Sequence, residues 1–297
     1  MNISISSSRY GITGLVGTLA SLLKSSQTPA SHNITVICCD WTSKDKNGFK
    51  AALLSYGANI KLLDVSPKYT FGHLPGLFGD WSTYTRLLSP ELSEGRELLH
   101  IDADLLIKFD VSALENFNFN GKAIAAVSSG AIIKYSNDRK FLTSACELTE
   151  EDCYFNAGVV LYNLERWRKE KTYQRILAFA EKHKDSIPVF DQSILNALFS
   201  KDFTELGWEY NFPWYPEARP SREKQVAAKI IHFVGSPKPW DPFGRFIHYG
   251  YKEWFDYTGG ATFLSLKEKI LRTYSIRRSI ARTVLKRIKS RKQKSES

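Results

Sequence analysis

Strand-like and helix-like stretches take turns through the first third of this 297-residue chain. Asn2–Ser6 reads as a strand and the apolar stretch Ile12–Ser25 as a helix. The β-branched run Asn33–Cys39 is the next strand, followed by a helix over Ser43–Tyr56. Ile60–Val65 is a third strand, a helix covers Asp80–Leu88, and "ELLHID" is a further strand. Consecutive parallel strands need a crossover of a dozen residues or more, and a helix is what usually fills it. The alternation therefore predicts an α/β fold, a mostly parallel sheet flanked by helices on both faces. Ligands in such sheets sit beyond the carboxyl ends of the strands. An opening turn with Gly11, Gly14 and Gly17 lies at one such end, and "HIDAD" at another.

The middle of the chain is less regular. "AIAAVSSGAII" reads as a strand and turn, "YFNAGVVLYNL" as a buried strand leading to a helix at Glu165–His183, and "DQSILNALF" as a short helix. "KIIHFVGSPKPW" is a strand running into a Gly/Pro-rich loop. No Pro/Gly/Ser-rich linker divides the chain, so one large domain over residues 1–245 is expected, followed by an aromatic and then basic tail over 246–297. From Ala261 to Ser297 twelve Lys/Arg face two Glu, which accounts for the entire net charge of +10. The main domain is thus neutral and gives no compositional reason to bind nucleic acid. Cys38, Cys39, Cys146 and Cys153 lack metal-knuckle or redox spacing and read as reduced thiols in a cytosolic setting. The start has neither the basic residues nor the long apolar core of a signal peptide, and no apolar run is long enough to span a bilayer.

Five short motifs carry chemistry. In "LLHIDADLLI", Asp102 and Asp104 are one residue apart at a strand end. Residues two apart in a strand share a face, so the pair suits one divalent cation; a solvated turn is the alternative. In "IIHFVGSPKPW", His232 precedes Gly235 and Lys238. A lone histidine at a strand end is ordinarily a core residue, but imidazole, a glycine allowing close approach and an ammonium together suit a metal–diphosphate, with Mn2+ favoured over Mg2+. "YFNAGVVLYNLERWR" offers the Asn156 amide beside Gly158, which otherwise reads as a buried strand with a structural Asn. In "VFDQSILNALF", Asp191 and Gln192 either clamp sugar hydroxyls or begin a helix with Asp191 as its cap. Arg86, in "WSTYTRLLSPEL", is either a surface ion-pair partner or a guanidinium aimed at an anionic ligand.

"HIDADLLI", "FNAGVVLYNLERWR", "DQSILNALF" and "HFVGSPKPW" together, with "STYTRLL" before them, resemble the family 8 retaining glycosyltransferases, which include glycogenin and bacterial lipopolysaccharide α-galactosyl- and α-glucosyltransferases. The resemblance covers roughly residues 1–245. It implies a GT-A fold, a UDP-sugar as donor and Mn2+ as cofactor. It implies Asp102, Asp104 and His232 as metal ligands and Gly235 and Lys238 as the diphosphate loop, with Ser6, Ser7, Tyr10, Ile101 and Ala103 also facing the nucleotide. It places Arg86, Asn156, Asp191 and Gln192 around the donor sugar, the last two as the catalytic candidates. The acceptor implied is a saccharide or lipid-linked saccharide, such as lipopolysaccharide or a related surface glycan. Two departures stand out. The family's first strand commonly ends in an acidic residue before the Tyr, where this chain has Ser6, Ser7, Ser8 and Arg9. A later strand often presents an Asp where this chain has Ser128 and Ser129.

Tyr274–Lys294 reads as a basic amphipathic helix, with Ile276, Ile280, Val284 and Ile288 recurring every four residues among Arg and Lys. Such a helix suits an anionic membrane surface, the inner face of a bacterial plasma membrane in this reading; a solvated, partly disordered tail is one alternative and a nucleic-acid-binding arm, which the neutral main domain does not support, another. Two rival functions follow from other features. An NAD(P)-binding oxidoreductase would use the opening glycines and Asp40, although Gly11, Gly14 and Gly17 recur every third residue rather than as G-x-G-x-x-G. A glycosyltransferase-like scaffold without catalysis is the reading suggested by the two serine departures.

Overall fold

In the computed structural model, which describes residues 1–77, 79–260 and 266–295, β1 (Asn2–Ser8) lies inside a seven-stranded sheet. α1 (Ile12–Ser25) carries the chain over to β2 (Asn33–Cys39), and α2 (Ser43–Leu53) over to β3 (Asn59–Asp64). All three strands are parallel. Two short helices, α3 (Lys68–Phe71) and α4 (Thr85–Leu88), precede β4 (Glu97–Ile101), which returns to the other side of β1. Ile3 then stands beside Ile34 and Leu99, and Ile5 beside Val36 and Ile101. The sheet is extended by β6 (Ile124–Ala131), β7 (Cys153–Asn163) and β8 (Phe203–Glu205), in the order β3-β2-β1-β4-β7-β6-β8. β7 runs antiparallel to both its neighbours; the other pairs are parallel, as the alternation predicts. The order reverses between β1 and β4, which is where an α/β sheet opens a ligand crevice.

Alternate residues of the central strands face two cores, the period-two pattern of a sheet covered on both sides. Ile3, Ile5, Leu99, Ile101, Val159 and Leu161 pack beneath α1. Leu98, Ile124, Ala126, Val160 and Tyr162 pack on the opposite face with residues of α4, α5 (Ser136–Ala145), α6 (Leu164–Lys169), α7 (Thr172–Lys182) and α8 (Phe190–Phe199). The single helix expected over Glu165–His183 is two, because Lys171 adopts a left-handed conformation (φ 50°) and breaks the ladder. The helix expected from Asp80 begins only at Thr85, after a 3-10 turn over Ser82–Tyr84.

β5 (Leu105–Ile107) leaves the main sheet and joins β9 (Phe212–Pro213) and β10 (Ile230–His232) in a small second sheet. Asp102, Ala103 and Asp104 therefore form a turn between two sheets, not the continuous strand that the sequence suggests. α1 braces this turn. Thr18 donates to the Leu105 carbonyl at 2.9 Å and accepts from the Leu105 N–H at 3.0 Å, while Ile107 N–H donates to the Ser21 hydroxyl at 2.9 Å. These hydroxyls satisfy the backbone of an otherwise unpaired edge. Close approach depends on Gly14: a Cβ there would lie 2.4 Å from the Ala103 carbonyl oxygen and 2.5 Å from the Trp240 ring. A Cβ on Gly17 would lie 2.8 Å from Trp254 Nε1. The opening glycines thus serve packing, and Gly14 and Gly17 leave no room for a dinucleotide pyrophosphate.

After α9 (Arg222–Ala227) and β10, the aromatic stretch folds as α10 (Gly244–Ile247) and α11 (Tyr251–Thr258). Trp254 of α11 is buried in a third core with Leu106, Trp214, Ile231 and Phe233. The basic tail is helical over α12 (Leu266–Ser295), beginning earlier than expected. Ile276 and Thr283 are buried, Arg272 pairs with the buried Asp241 at 2.8 Å, and Lys286 pairs with Glu217. Leu271, Tyr274, Leu285 and Ile288 remain exposed. Among the described residues, no helix is long and apolar enough to cross a membrane. All four cysteines are free thiols.

Candidate functional site

The turn after β4, the end of β10 and the start of α8 converge at the reversal point of the sheet. Asp102, Asp104 and His232 bring one ligand atom each to within 4.8 Å of one another. His232 Nε2 lies 3.2 Å from Asp104 Oδ1 and 4.0 Å from Asp102 Oδ2. Lys238 Nζ reaches Asp104 Oδ2 at 2.5 Å and also donates to the Phe233 carbonyl. Gly235, between His232 and Lys238, adopts φ +78°, so a side chain there would be strained whatever the space.

Arg86 lies behind these groups. Its Nη2 donates to Asp102 Oδ1 at 2.7 Å, its Nε lies 2.7 Å from Asp191 Oδ2, and its Nη1 donates to the Ala157 carbonyl. The guanidinium is thus taken up by protein acceptors and ties the Asp102–Asp104 turn to α8. Burial on its own favours loss of the Arg86 proton, but Asp102 and Asp191 outweigh it and keep the side chain firmly charged. Burial pushes Asp191 up to about 6 even with Arg86 beside it. Burial also drives Asp104 upward, yet Lys238 and His232 overcome it and hold that carboxyl far below the usual range. Asp102 ends above its ordinary value, because burial and the neighbouring Asp104 together exceed the pull of Arg86.

The donor set fits a divalent cation. Among the described residues, Asp102, Asp104 and Asp191 oppose only Arg86 and Lys238 as permanent charges, and Asp104 Oδ1 is buried without a hydrogen-bond partner. His232 Nδ1 meets Asn211 Oδ1 at 2.9 Å, so Nε2 faces the two carboxylates. A dication placed among this imidazole and the two carboxylates would offset the excess of negative charge.

Gln192 follows Asp191 in the first turn of α8. Its Oε1 accepts from Asn156 Nδ2 and from Ala157 N–H, each at 3.1 Å, and its Nε2 donates to the Tyr154 hydroxyl at 2.6 Å. Gly158 is required beside it: a Cβ would stand 2.5 Å from His232 Cε1 and 2.9 Å from Asn156 Oδ1. Ile101 is buried at the end of β4, and Ala103 packs beneath Gly14. On β1, Ser6 Oγ bonds Thr85 Oγ1 and Ser7 Oγ is buried with no partner among the described residues; Tyr10, in the 3-10 turn that follows (Arg9–Gly11), is 62% exposed. Ser128 N–H donates to the Glu205 carboxylate of β8, at 2.9 Å to Oε2, so an acidic group stands next to that serine after all.

The sequence reading passes over Asn211, Tyr154 and Asp138. Asn211 lies in the aromatic run "YNFPWY", and Tyr154 directly precedes "FNAG". A buried polar residue inside an apolar stretch is the only local signal either carries, since such a residue requires a partner.

A profile of the family described as Glycosyl transferase family 8 matches residues 2–243. General stress protein A of Bacillus subtilis is 24% identical over 263 residues, spanning 81% of this chain and 90% of its own length. The lipopolysaccharide 1,3-galactosyltransferase of Salmonella typhimurium is 24% identical over 213 residues, spanning 69% of this chain and 62% of its own. The crystal structure of the galactosyltransferase LgtC in complex with donor and acceptor sugar analogs superposes with a TM-score of 0.71 at 21% identity, covering 90% of this chain and 98% of that one. That likeness makes the fold here a GT-A fold.

Proposed function

The chain belongs to glycosyl transferase family 8, and on that premise we propose that it is a metal-dependent, retaining hexosyltransferase that uses a UDP-sugar. The observation that carries this reading is the Asp102–Asp104–His232 cluster with Lys238 beside it, at the crevice where the sheet order reverses. Mn2+ is the favoured ion, because an imidazole joins two carboxylates in the donor set. A bound dication supplies Lewis-acid neutralisation of the leaving diphosphate.

The chain's own residues do the rest. Lys238 offers an ammonium to the diphosphate once the ion has relieved its pairing with Asp104. Gly235 allows that loop to approach, and Ser6, Ser7 and Tyr10 face the base and ribose. Arg86 positions Asp102 and Asp191. Asn156, Asp191 and Gln192 line the sugar end, where Asp191 and the Gln192 dipole are the groups available to an oxocarbenium-like centre. The acceptor hydroxyl oxygen bonds to the anomeric carbon as the bond from that carbon to the β-phosphate oxygen breaks. The hydroxyl proton passes to the leaving phosphate on the same face, which retains configuration.

The acceptor proposed is a saccharide or lipid-linked saccharide such as lipopolysaccharide, by similarity to the Salmonella relative. α12, basic and with Leu271, Tyr274, Leu285 and Ile288 exposed, would hold the enzyme peripherally on the anionic inner face of the bacterial plasma membrane. Titration calorimetry with UDP, with and without Mn2+, tests the reading. Mn2+-dependent UDP binding is expected. Its absence would leave a non-catalytic scaffold, and a screen of nucleotide sugars for Mn2+-dependent hydrolysis identifies the donor.

A further inference from the structure

Four side chains, Tyr154, Gln192, Asn156 and Asn211, link the buried carboxylate of Asp138 to His232 in one unbroken hydrogen-bond chain. Asp138, on α5, is 1% exposed and accepts from the Tyr154 hydroxyl and from Ser193 Oγ. Gln192 Nε2 donates to Tyr154, Asn156 Nδ2 donates to Gln192 Oε1, and Asn211 Nδ2 donates to Asn156 Oδ1 at 2.9 Å. His232 Nδ1 lies 2.9 Å from Asn211 Oδ1 at the far end. We propose that this chain is polar in one direction and that Asn211, as a positioning residue, thereby fixes His232 in the tautomer whose Nε2 lone pair faces Asp102 and Asp104.

The direction follows from the number of protons each group has. A carboxylate only accepts, so Tyr154 gives Asp138 its single proton, and its oxygen must receive one from Gln192. The Gln192 amide therefore turns its oxygen toward Asn156. Asn156 in turn offers its oxygen to Asn211, and Asn211 is left with only an oxygen to present to the ring. A ring nitrogen facing that oxygen must carry a proton. Two backbone donors of β7 enforce the same sense, Ala157 N–H on Gln192 Oε1 and Gly158 N–H on Asn156 Oδ1 at 3.0 Å. With Nδ1 protonated, a neutral imidazole has its lone pair on Nε2, the state a metal ligand needs. An unconstrained imidazole would distribute its proton between both nitrogens, and the fraction protonated on Nε2 could not bind the ion.

The inference rests on the proposed metal-site reading, but its test does not. Nitrogen-15 spectra of the metal-free protein report the tautomer of His232 directly. The expected result is a protonated Nδ1 in the wild type. Asn211→Ala should move the proton population toward Nε2, whereas Asn211→Asp, which still accepts, should retain Nδ1–H. Mn2+ affinity, followed by electron paramagnetic resonance, should fall by about 10–100-fold in Asn211→Ala and recover in part in Asn211→Asp. Tyr154→Phe should shift the Gln192 side-chain amide resonances and leave the His232 tautomer in place, because Gly158 N–H still orients Asn156. A wild-type His232 protonated on Nε2 would overturn the inference. A wild-type protein with Nδ1–H that binds no Mn2+ would instead overturn the metal-site reading and leave the chain standing.

Discussion

Arg86 Nε stands 2.7 Å from Asp191 Oδ2, with the two side chains 9% and 5% exposed. The same guanidinium bonds Asp102, so one cation neutralises two buried carboxylates from different elements. Removing one partner of such a cluster leaves uncompensated charge in a poorly solvated place, at a cost of about 3–5 kcal/mol. Arg86→Ala should lose stability on that scale in urea unfolding. Arg86→Lys should lose less, because it keeps a positive charge beside the carboxylates, but should not match the wild type, because an ammonium cannot span both acceptors in the way a planar fork does. An unchanged urea midpoint in Arg86→Ala would show that the clamp contributes nothing to the fold.

Burial raises Asp191 to about 6 in the folded protein, against about 3.9 for an unfolded chain. The folded state therefore binds more protons than the unfolded state across that window. Stability contributed through this group is present at low pH and is lost as pH rises from about 4 to about 6, by roughly 3 kcal/mol in the metal-free protein. Asp191→Asn should remove this slope. The check is the difference in unfolding free energy between variant and wild type at a series of pH values; a constant difference would refute the assignment.

Gly158→Ala places a methyl 2.5 Å from His232 Cε1 and 2.8 Å from its Nδ1. Either the imidazole or β7 has to shift, and overpacking of this kind costs about 1–3 kcal/mol. Mn2+-dependent UDP binding should weaken more than stability does, because the displaced group belongs to the site. Calorimetric affinity and melting temperature, measured together, separate the two effects.

Asp104→Ala removes a carboxylate from the cluster and the anionic partner of Lys238. Donor hydrolysis and transfer should both vanish, and chelation with EDTA should have the same effect on the wild type. Far-ultraviolet circular dichroism should be unaltered. Normal turnover by the variant would take Asp104 out of the site.

Deleting the residues after Tyr274 leaves the Arg272–Asp241 pair intact while removing most of the cationic helix. Co-sedimentation with anionic liposomes should be lost, and hydrolysis of the donor should persist. Equal liposome binding by the truncated protein would end the membrane assignment.

Much of the scaffold was legible because its signals are local. The ends of α1 and β2 fall where glycine, polar and β-branched residues change over, and period-two burial follows from strands covered on both faces. The residue types of "HIDAD" and "HFVGSPK" marked the groups that the fold brings together. The reason for their convergence was not legible. The two carboxylates approach His232 because β4 ends and a turn passes to a second sheet, whereas the pleat of a single strand had suggested their shared face.

What the sequence determined by itself is the alternation that makes the sheet, its helical cover and the identity of the groups at its carboxyl edge. Only the tertiary structure decided which of them pair. Lys238 meets Asp104 across 134 positions of chain, Arg86 meets Asp102 and Asp191, and Asn211 meets His232. Periodicity records which face a residue takes. The direction of a hydrogen bond and the neutralisation of a buried charge depend on groups that only folding makes neighbours.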